Sequence, residues 1–420
     1  MAQLGIREYK AKKMLSKVLK DYSLGKISYS GKVILVKPET NFSKLLKKNS
    51  WLKKEKLVVK PDMLFGKRGK LGLIGLNFNY SQIQKWIQEK TNKKIKINKT
   101  EGYLTHFIIE PFVPHNEEYY ISIQSERDRD IIYFSYKGGI EIEDNWDKVM
   151  EIPVSLSDRI DDINLDKYLK DDKNRDILKV FIKSIYKYFI DYNFSFLEIN
   201  PFTFIDEKII PLDMVAKVDD TASFESTKLW GDDIEFPSPF GRALTKEEEY
   251  IKNLDENTGA SLKLTLLNPE GKVWTMVAGG GASVIYADTI SDLGFGSEMA
   301  NYGEYSGNPS TDETYEYAKT VLDLMTRKKV TKGKVLIIGG GIANFTDVAK
   351  TFTGIIKALE KYKDKIKKNN IRIYIRRGGP NYQEGLRKIK AVGEELGIPL
   401  EAYGPETHMT EIVKLAVDTL

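Results

Sequence analysis

The sequence predicts an α/β protein in two parts, the second of them a doubly wound parallel sheet. Three observations carry this. The stretches "KVWTMVAGGGASVIYADTI" (272–290), "VLIIGGGIANFTDVAKTFTGIIKAL" (335–359) and "IRIYIRRGGPNYQEGLRKIKAVGEEL" (371–396) each pass from an apolar strand through glycines into a helical pattern. Strands alternating with helices pair in parallel, because the intervening helix returns the chain to the edge it left. The composition also breaks at "WGDDIEFPSPFGRALTKEEEYI" (230–251), where prolines, glycines and acids cluster, and such a stretch reads as a linker. Finally, 420 residues are enough for two or three domains.

In Ile6–Leu19 the residues Ala11, Leu15, Val18 and Leu19 follow helical spacing, with lysines on the other side. "KVILV" (32–36) and "LVVK" (57–60) are short apolar strands, and "FIIEPFVPH" (107–115) is a strand broken by two prolines. Ile177, Phe181, Ile185 and Phe189 mark a long amphipathic helix. "FSFLEINPFTFI" (194–205) and "IIPLDMVAKVDD" (209–220) read as a hairpin pair. Between Lys44 and Lys99 lysines are dense, with Trp51, Phe65, Phe78 and Trp86 among them. A solvated helix face is the commoner origin of such a pattern, and a nucleic-acid surface the rarer one.

Bulk composition narrows the classes. The chain is 41% hydrophobic and 30% charged, with 65 basic and 60 acidic residues and a net charge of +5, which is weak support for nucleic-acid binding. It has no cysteine, which excludes disulfides and thiolate metal sites. His106, His115 and His408 are dispersed and give no metal-ligand spacing. The beginning of the chain lacks a signal peptide's apolar core, and no run of about 18 apolar residues is present to span a membrane. A cytoplasmic protein is expected.

The glycine turns admit several chemistries. A dinucleotide fingerprint wants Gly-x-Gly-x-x-Gly, and here Gly339, Gly341 and Asn344 take those places, so the third glycine is missing. A P-loop's Gly-Lys-Ser/Thr ending does not occur. An ordinary strand-to-helix turn with Asn344 or Thr346 as N-cap is one reading. An anion cradle is the other. It is favoured by the second triplet, Gly279–Gly281, and by Arg376 and Arg377 ahead of Gly378 and Gly379. All three turns fall at the carboxyl edge of a parallel sheet, where such proteins bind ligands, and arginine pairs bidentately with carboxylate or phosphate. A small, multiply charged anion such as a polycarboxylate fits.

In the first part, "KLVVKPDMLFGKRGKLG" (56–72) puts Lys60 at a strand end, ahead of a glycine-flanked basic loop with Lys67, Arg68, Gly69 and Lys70. This is either a mobile phosphate lid or a basic surface hairpin. Asn200 in "LEIN" and Asp213 in "PLDM" interrupt strands that would otherwise be buried. A buried carboxylate is costly unless paired or bound to metal, so the two make either a Mg²⁺ platform or a hydrogen-bonded pair.

Taken together these stretches resemble the ATP-citrate lyase family, in particular its small, amino-terminal-type subunit. The matches are "IREYKAKKML", "LVVKPDMLFGKRGKLG", "IEPFVPH", "LEINPF", "WGDDIEFPSPFGR", "GASLKLTLLNPEGKVWTMVAGGGASVIYADT", "ANYGEYSG", "GGGIANFTDVA" and "RRGGPNYQEGL". The chain is also similar to the β subunit of succinyl-CoA synthetase. The resemblance implies an ATP-grasp domain at 1–240, a linker at 241–254 and a flavodoxin-like acid–CoA ligase domain at 255–420. It implies ATP contacts at Lys60, Arg68, Gly69, Pro111, Val113 and Glu118, and Mg²⁺ held by Asn200 and Asp213. It places citrate at Gly307, Asn344, Phe345, Thr346 and Arg377, and a further cation near Asp255 and Thr258. The family's phosphorylated histidine sits in a Gly-His-Ala-Gly-type loop, and none of the three histidines has that setting. The resemblance therefore implies a hetero-oligomer. A large partner subunit would supply that histidine, most of the CoA site and a citrate-synthase-like cleavage domain. A second expectation is the small subunit of citryl-CoA synthetase, which stops at citryl-CoA.

Overall fold

The computed structural model describes residues 3–91, 93–97, 100–139, 142–171, 173–329 and 333–420. These fall into two units, Met1–Ala243 and Leu244–Leu420. Lys99, the end of the lysine-dense stretch, lies outside the described residues.

The first unit contains strands β1 (Gln3–Ile6), β2 (Ile34–Val36), β3 (Leu57–Pro61), β4 (Gly75–Phe78), β5 (Lys94–Ile97), β6 (Thr100–Tyr103), β7 (Phe107–Pro111), β8 (Tyr119–Ser125), β9 (Arg129–Ser135), β10 (Met150–Ser155), β11 (Phe194–Ile205), β12 (Lys208–Pro211) and β13 (Met214–Asp219). Its helices are α1 (Glu8–Tyr22), α2 (Phe42–Lys48), α3 (Tyr80–Thr91), α4 (Arg175–Asp191) and α5 (Ser223–Trp230). The larger sheet has the order β1-β13-β11-β8-β9-β10, with β12 also on β11. Helices α1 and α4 bury Leu15, Leu19, Phe181, Ile185 and Phe189 in its core, as their spacing requires. The smaller sheet, β2-β7-β3-β4, is antiparallel throughout.

Two readings of the first part are corrected. The stretch 209–220 is two strands, not one: β12 and β13 both pair with β11, and the break falls at Leu212–Asp213. Trp51, Phe65, Phe78 and Trp86 pack against the core of the smaller sheet, so the rarer reading of this stretch, a nucleic-acid surface, loses its interspersed aromatics.

The second unit opens with α6 (Lys246–Asn257), which takes up part of the stretch read as a linker. Its start is fixed by a capping box between Thr245 and Glu248, a signal present in "TKEE". Then come β14 (Ser261–Leu266), β15 (Val273–Ala278), α7 (Gly280–Ile290), β16 (Asn301–Ser306), α8 (Thr311–Thr326), β17 (Lys334–Gly340), α9 (Val348–Lys368), β18 (Ile371–Arg376), α10 (Tyr382–Leu396), β19 (Leu400–Tyr403) and α11 (Glu411–Val417). Strands β15-β17-β18-β19 pair in parallel. Beside β15 lies β16, joined by the Val273–Met299 bridge and by the buried Asn301, whose amide bonds the Thr275 N–H at 2.9 Å and C=O at 2.8 Å. With β16 included the order is β16-β15-β17-β18-β19, the flavodoxin-like arrangement. Helices α8, α9 and α10 cover one face, and α7 and α11 the other.

Candidate functional site

In the first unit the expected phosphate-binding residues converge on a buried ionic cluster built around α1. Glu8 opens that helix, and its carboxylate meets three cations at 2.7 Å: Lys12 one turn on, Lys60 from β3, and Arg68 from the loop that follows. Lys12 also pairs with Glu110 of β7 at 2.7 Å and donates to the Leu212 carbonyl at 3.3 Å. Lys60 donates to the same carbonyl, and Arg68 pairs with Asp213. Desolvation opposes the Glu8 charge, but Lys12, Lys60 and Arg68 outweigh it and hold the carboxyl well below the usual range. One helix thus ties together the strand end, the basic loop and the Asp213 strand.

This geometry corrects the picture of Arg68 on an exposed lid. The guanidinium is buried, donates to the Pro61 carbonyl at 2.7 Å and is pinned by two carboxylates. Gly69 lies in the turn behind it, where its carbonyl accepts from Gly72. The Glu8, Lys12 and Glu110 components escaped sequence reading. Their signals were a Glu–Lys pair four apart beside Ala11 and Leu15, and a lone acid inside "FIIEP".

Asn200 and Asp213 are neighbours: the Asn200 N–H donates to the Asp213 carbonyl at 3.0 Å. The Asn200 side chain accepts from Gly139 N–H at 2.7 Å, and Gly138 N–H donates to the Glu118 carbonyl at 2.9 Å, so one glycine pair joins Glu118 to Asn200. Val113 and Glu118 lie in the segment between β7 and β8, bridged by His115, whose ring bonds the Val113 carbonyl at 2.7 Å and the Glu118 carboxylate at 2.9 Å. Pro111 closes β7 opposite Leu57. Among the described residues no group of three or more Asp, Glu and His is placed to hold a metal. One amide and one carboxylate still fit Mg²⁺, which takes few protein ligands and completes its shell with phosphate oxygens and water. The loop expected to hold another cation is occupied from within. Asp255 accepts from Leu262 N–H at 2.7 Å and pairs with Lys263, and Thr258 closes α6.

In the second unit the glycines of "IIGGG" make room for side chains. A Cβ on Gly339 would meet the Tyr286 ring at 2.3 Å, and one on Gly340 would meet the Arg377 guanidinium at 2.3 Å. Only Gly341 faces open space. The helix does not follow directly, which corrects both the expected N-cap and the expected helix end. A loop of six residues carries Asn344, Phe345 and Thr346, and α9 starts at Val348 with Asp347 as its cap, accepting from Lys350 N–H at 3.0 Å. That helix terminus already holds a carboxylate of its own. It is α7 that begins directly on its glycines, with Gly279 at φ 105° as N-cap, a conformation side chains disfavour.

Arg376 ends β18 and Arg377 follows it, and the two have opposite roles. Arg376 donates to the carbonyls of Gly340, Pro405 and Thr407 at 2.9, 3.2 and 2.9 Å, and so frames the turn. Arg377 is 2% exposed, donates to the Gly341 carbonyl at 3.2 Å, and has a buried Nε with no hydrogen-bond partner among the described residues. The loop is tethered beside it by Ala343 N–H to the Gly378 carbonyl at 2.9 Å, while Ile342 and Phe345 remain 68% exposed. Gly307, at φ 73°, precedes α8, whose Thr311 hydroxyl donates to the Lys350 carbonyl of α9 at 3.3 Å. His408 lies in the turn before α11, its ring bonded to the Thr410 hydroxyl at 2.7 Å.

Two family models match in tandem: the ATP-citrate synthase ATP-grasp domain over residues 2–230, and the ATP citrate lyase citrate-binding region over residues 242–419. ATP-citrate synthase alpha chain protein 2 of Arabidopsis thaliana is 49% identical over 421 residues, covering 99% of this chain and 98% of that one. The ATP-citrate synthase of Homo sapiens is 46% identical over 423 residues, and this chain spans only 38% of its length. A solved ATP citrate lyase from Methanothrix soehngenii, in complex with citrate and coenzyme A, superposes with a TM-score of 0.90 at 52% identity and covers 99% of this chain and 100% of its own. The two matched models define an enzyme region in which an ATP-grasp domain is followed by a citrate-binding region. The chain belongs to the ATP-citrate lyase family, also called ATP-citrate synthase.

Proposed function

We propose that this chain is the small subunit of a two-subunit ATP-citrate lyase, acting in the cytoplasm. It binds ATP with Mg²⁺ in the first unit and citrate in the second. Phosphate passes from ATP through a histidine of the large subunit to citrate, giving ADP and citryl phosphate. Coenzyme A, bound mainly by the large subunit, displaces phosphate to form citryl-CoA, which the large subunit cleaves to acetyl-CoA and oxaloacetate. The relatives support this division, since some match this chain end to end and others carry it as 38% of a longer polypeptide.

In this reading Lys60 and Arg68 neutralise phosphate charge and Gly69 lets the chain approach it. Pro111 and Val113 offer backbone groups to adenine, and Glu118 accepts from the ribose hydroxyls. Asn200 and Asp213 hold the cation, which supplies charge neutralisation on the phosphates. Citrate sits among Gly307, Asn344, Phe345, Thr346 and Arg377. The observation that carries most weight is Arg377, a buried guanidinium with an unspent donor beside a glycine turn and an exposed loop. Leaving such a donor unpaired costs about 1–3 kcal/mol, which a bound carboxylate recovers.

Calorimetry on the chain alone should show binding of Mg–ATP and of citrate, with no heat from succinate. Co-expression with the large subunit should give citrate- and CoA-dependent ATP hydrolysis. A complex that accumulates citryl-CoA without forming acetyl-CoA would identify the alternative, a citryl-CoA synthetase.

A further inference from the structure

Two polar groups buried in the second unit lack a hydrogen-bond partner among the described residues: the Arg377 Nε and the Tyr305 hydroxyl. Tyr305 is 1% exposed and lies two residues before Gly307 on β16. The Arg377 charge reaches its phenol and works against the upward push of burial. Buried polar groups in folded proteins almost always have partners, so two such exceptions in one unit call for an occupant.

The neighbours sharpen the contrast. Tyr317, whose ring centre is 5.8 Å from that of Tyr305, donates to the Lys263 carbonyl at 2.9 Å. The Tyr286 hydroxyl accepts from Gly340 N–H at 3.3 Å. Arg376 makes three bonds to carbonyls. The main chain therefore gives a partner to two tyrosines and one arginine of this cluster, and leaves the Tyr305 hydroxyl and the Arg377 Nε with none among the described residues. The Arg377 guanidinium lies over Gly340 beside the Ala278 carbonyl at the end of β15, the strand next to the one that carries Tyr305. Two unpartnered donors within electrostatic reach of each other, both able to serve an acceptor, suit an ionised carboxylate, which has four lone-pair sites and no proton to give.

We propose that Tyr305 is a specificity-determining residue for citrate, its hydroxyl donating to the same carboxylate that Arg377 binds. This rests on the citrate reading above. Tyr305→Phe removes the hydroxyl and keeps the ring packed on Tyr317, so the fold should survive. Calorimetry should show citrate affinity reduced about tenfold, the lower end expected for a hydrogen bond to a charged group, with Mg–ATP affinity unchanged. The melting temperature should be no lower than that of the parent chain, because an unpaired polar group has been removed. Tyr286→Phe, which loses a bond the protein makes to itself, should melt lower. In the double variant with Arg377→Lys the citrate losses should be less than additive, as expected for two donors on one carboxylate. Citrate affinity equal to the parent's in Tyr305→Phe, or a fall in its melting temperature, would overturn the inference: the hydroxyl would then serve the fold through an internal water. A parent chain that binds no citrate defeats the functional reading as well, and so separates that failure from this one.

Discussion

At the scale of single residues, the two units separate two binding functions that substitutions can test independently. Arg377→Ala should weaken citrate binding about 10- to 100-fold and leave Mg–ATP binding intact, and Lys60→Ala should do the reverse. Equal loss of both ligands in either variant would point to misfolding. A pH effect is also built into the first unit. Burial, then the Arg7 charge, holds the His106 imidazole down at about 4, while burial, then the Glu8 charge, pushes Asp62 up to about 6. Asp62 N–H donates to the His106 carbonyl at 2.9 Å, so the two act on one spot. The histidine's folded value lies below its ordinary 6.5 or so, and acidification from there to about 4 costs stability. The aspartate's folded value lies above the ordinary carboxylate range, and acidification from about 6 to 4 returns stability. The contributions oppose each other. His106→Gln should therefore gain stability between pH 6 and 4, relative to the parent, in urea melts run at several pH values; parallel pH profiles would refute the assignment. Lys60 and Asp213 stood out in sequence because charges interrupt apolar strands, and Arg68 because it lies in a glycine-flanked basic loop. Glu8, Lys12 and Glu110 were not singled out, because an acid–base pair four apart reads as an ordinary surface pair until Lys60, Arg68 and Glu110 arrive from other strands in three dimensions.

At the scale of elements, the strand–turn–helix units of the second part were legible from their apolar runs and glycines, as were α1 and α4 from their spacing. What the pattern could not show was where α9 begins. Gly-Gly-Gly reads as a turn directly into a helix, but these glycines clear space for Tyr286 and Arg377, and the chain needs six more residues to reach Asp347. The cap predicts its own effect. Asp347→Ala removes the acceptor for Lys350 N–H and the partner of the Asn381 amide, and should cost about 1 kcal/mol in urea unfolding. Asp347→Ser, which can still cap, should cost less. The division of 209–220 into β12 and β13 was hidden in the same way, because "PLD" carries no glycine to mark the break that sets Asp213 beside Asn200.

At the scale of the whole molecule, each unit has its own core and its own ligand, so heats of ATP and citrate binding to the isolated chain should be nearly independent. Acetyl-CoA formation by that chain alone would contradict the two-subunit reading. The cluster at α1 has one more consequence. Lys12, Lys60 and Arg68 face Glu8, Glu110 and Asp213, three positive charges against three negative ones. On the proposed ATP reading, an arriving triphosphate would meet a largely buried patch whose charges already cancel, and would exchange one anionic partner for another. Nucleotide affinity should accordingly decline only shallowly as sodium chloride is raised from 0.05 to about 0.5 M, unlike a surface-charge site, whose attraction fades as the Debye length contracts.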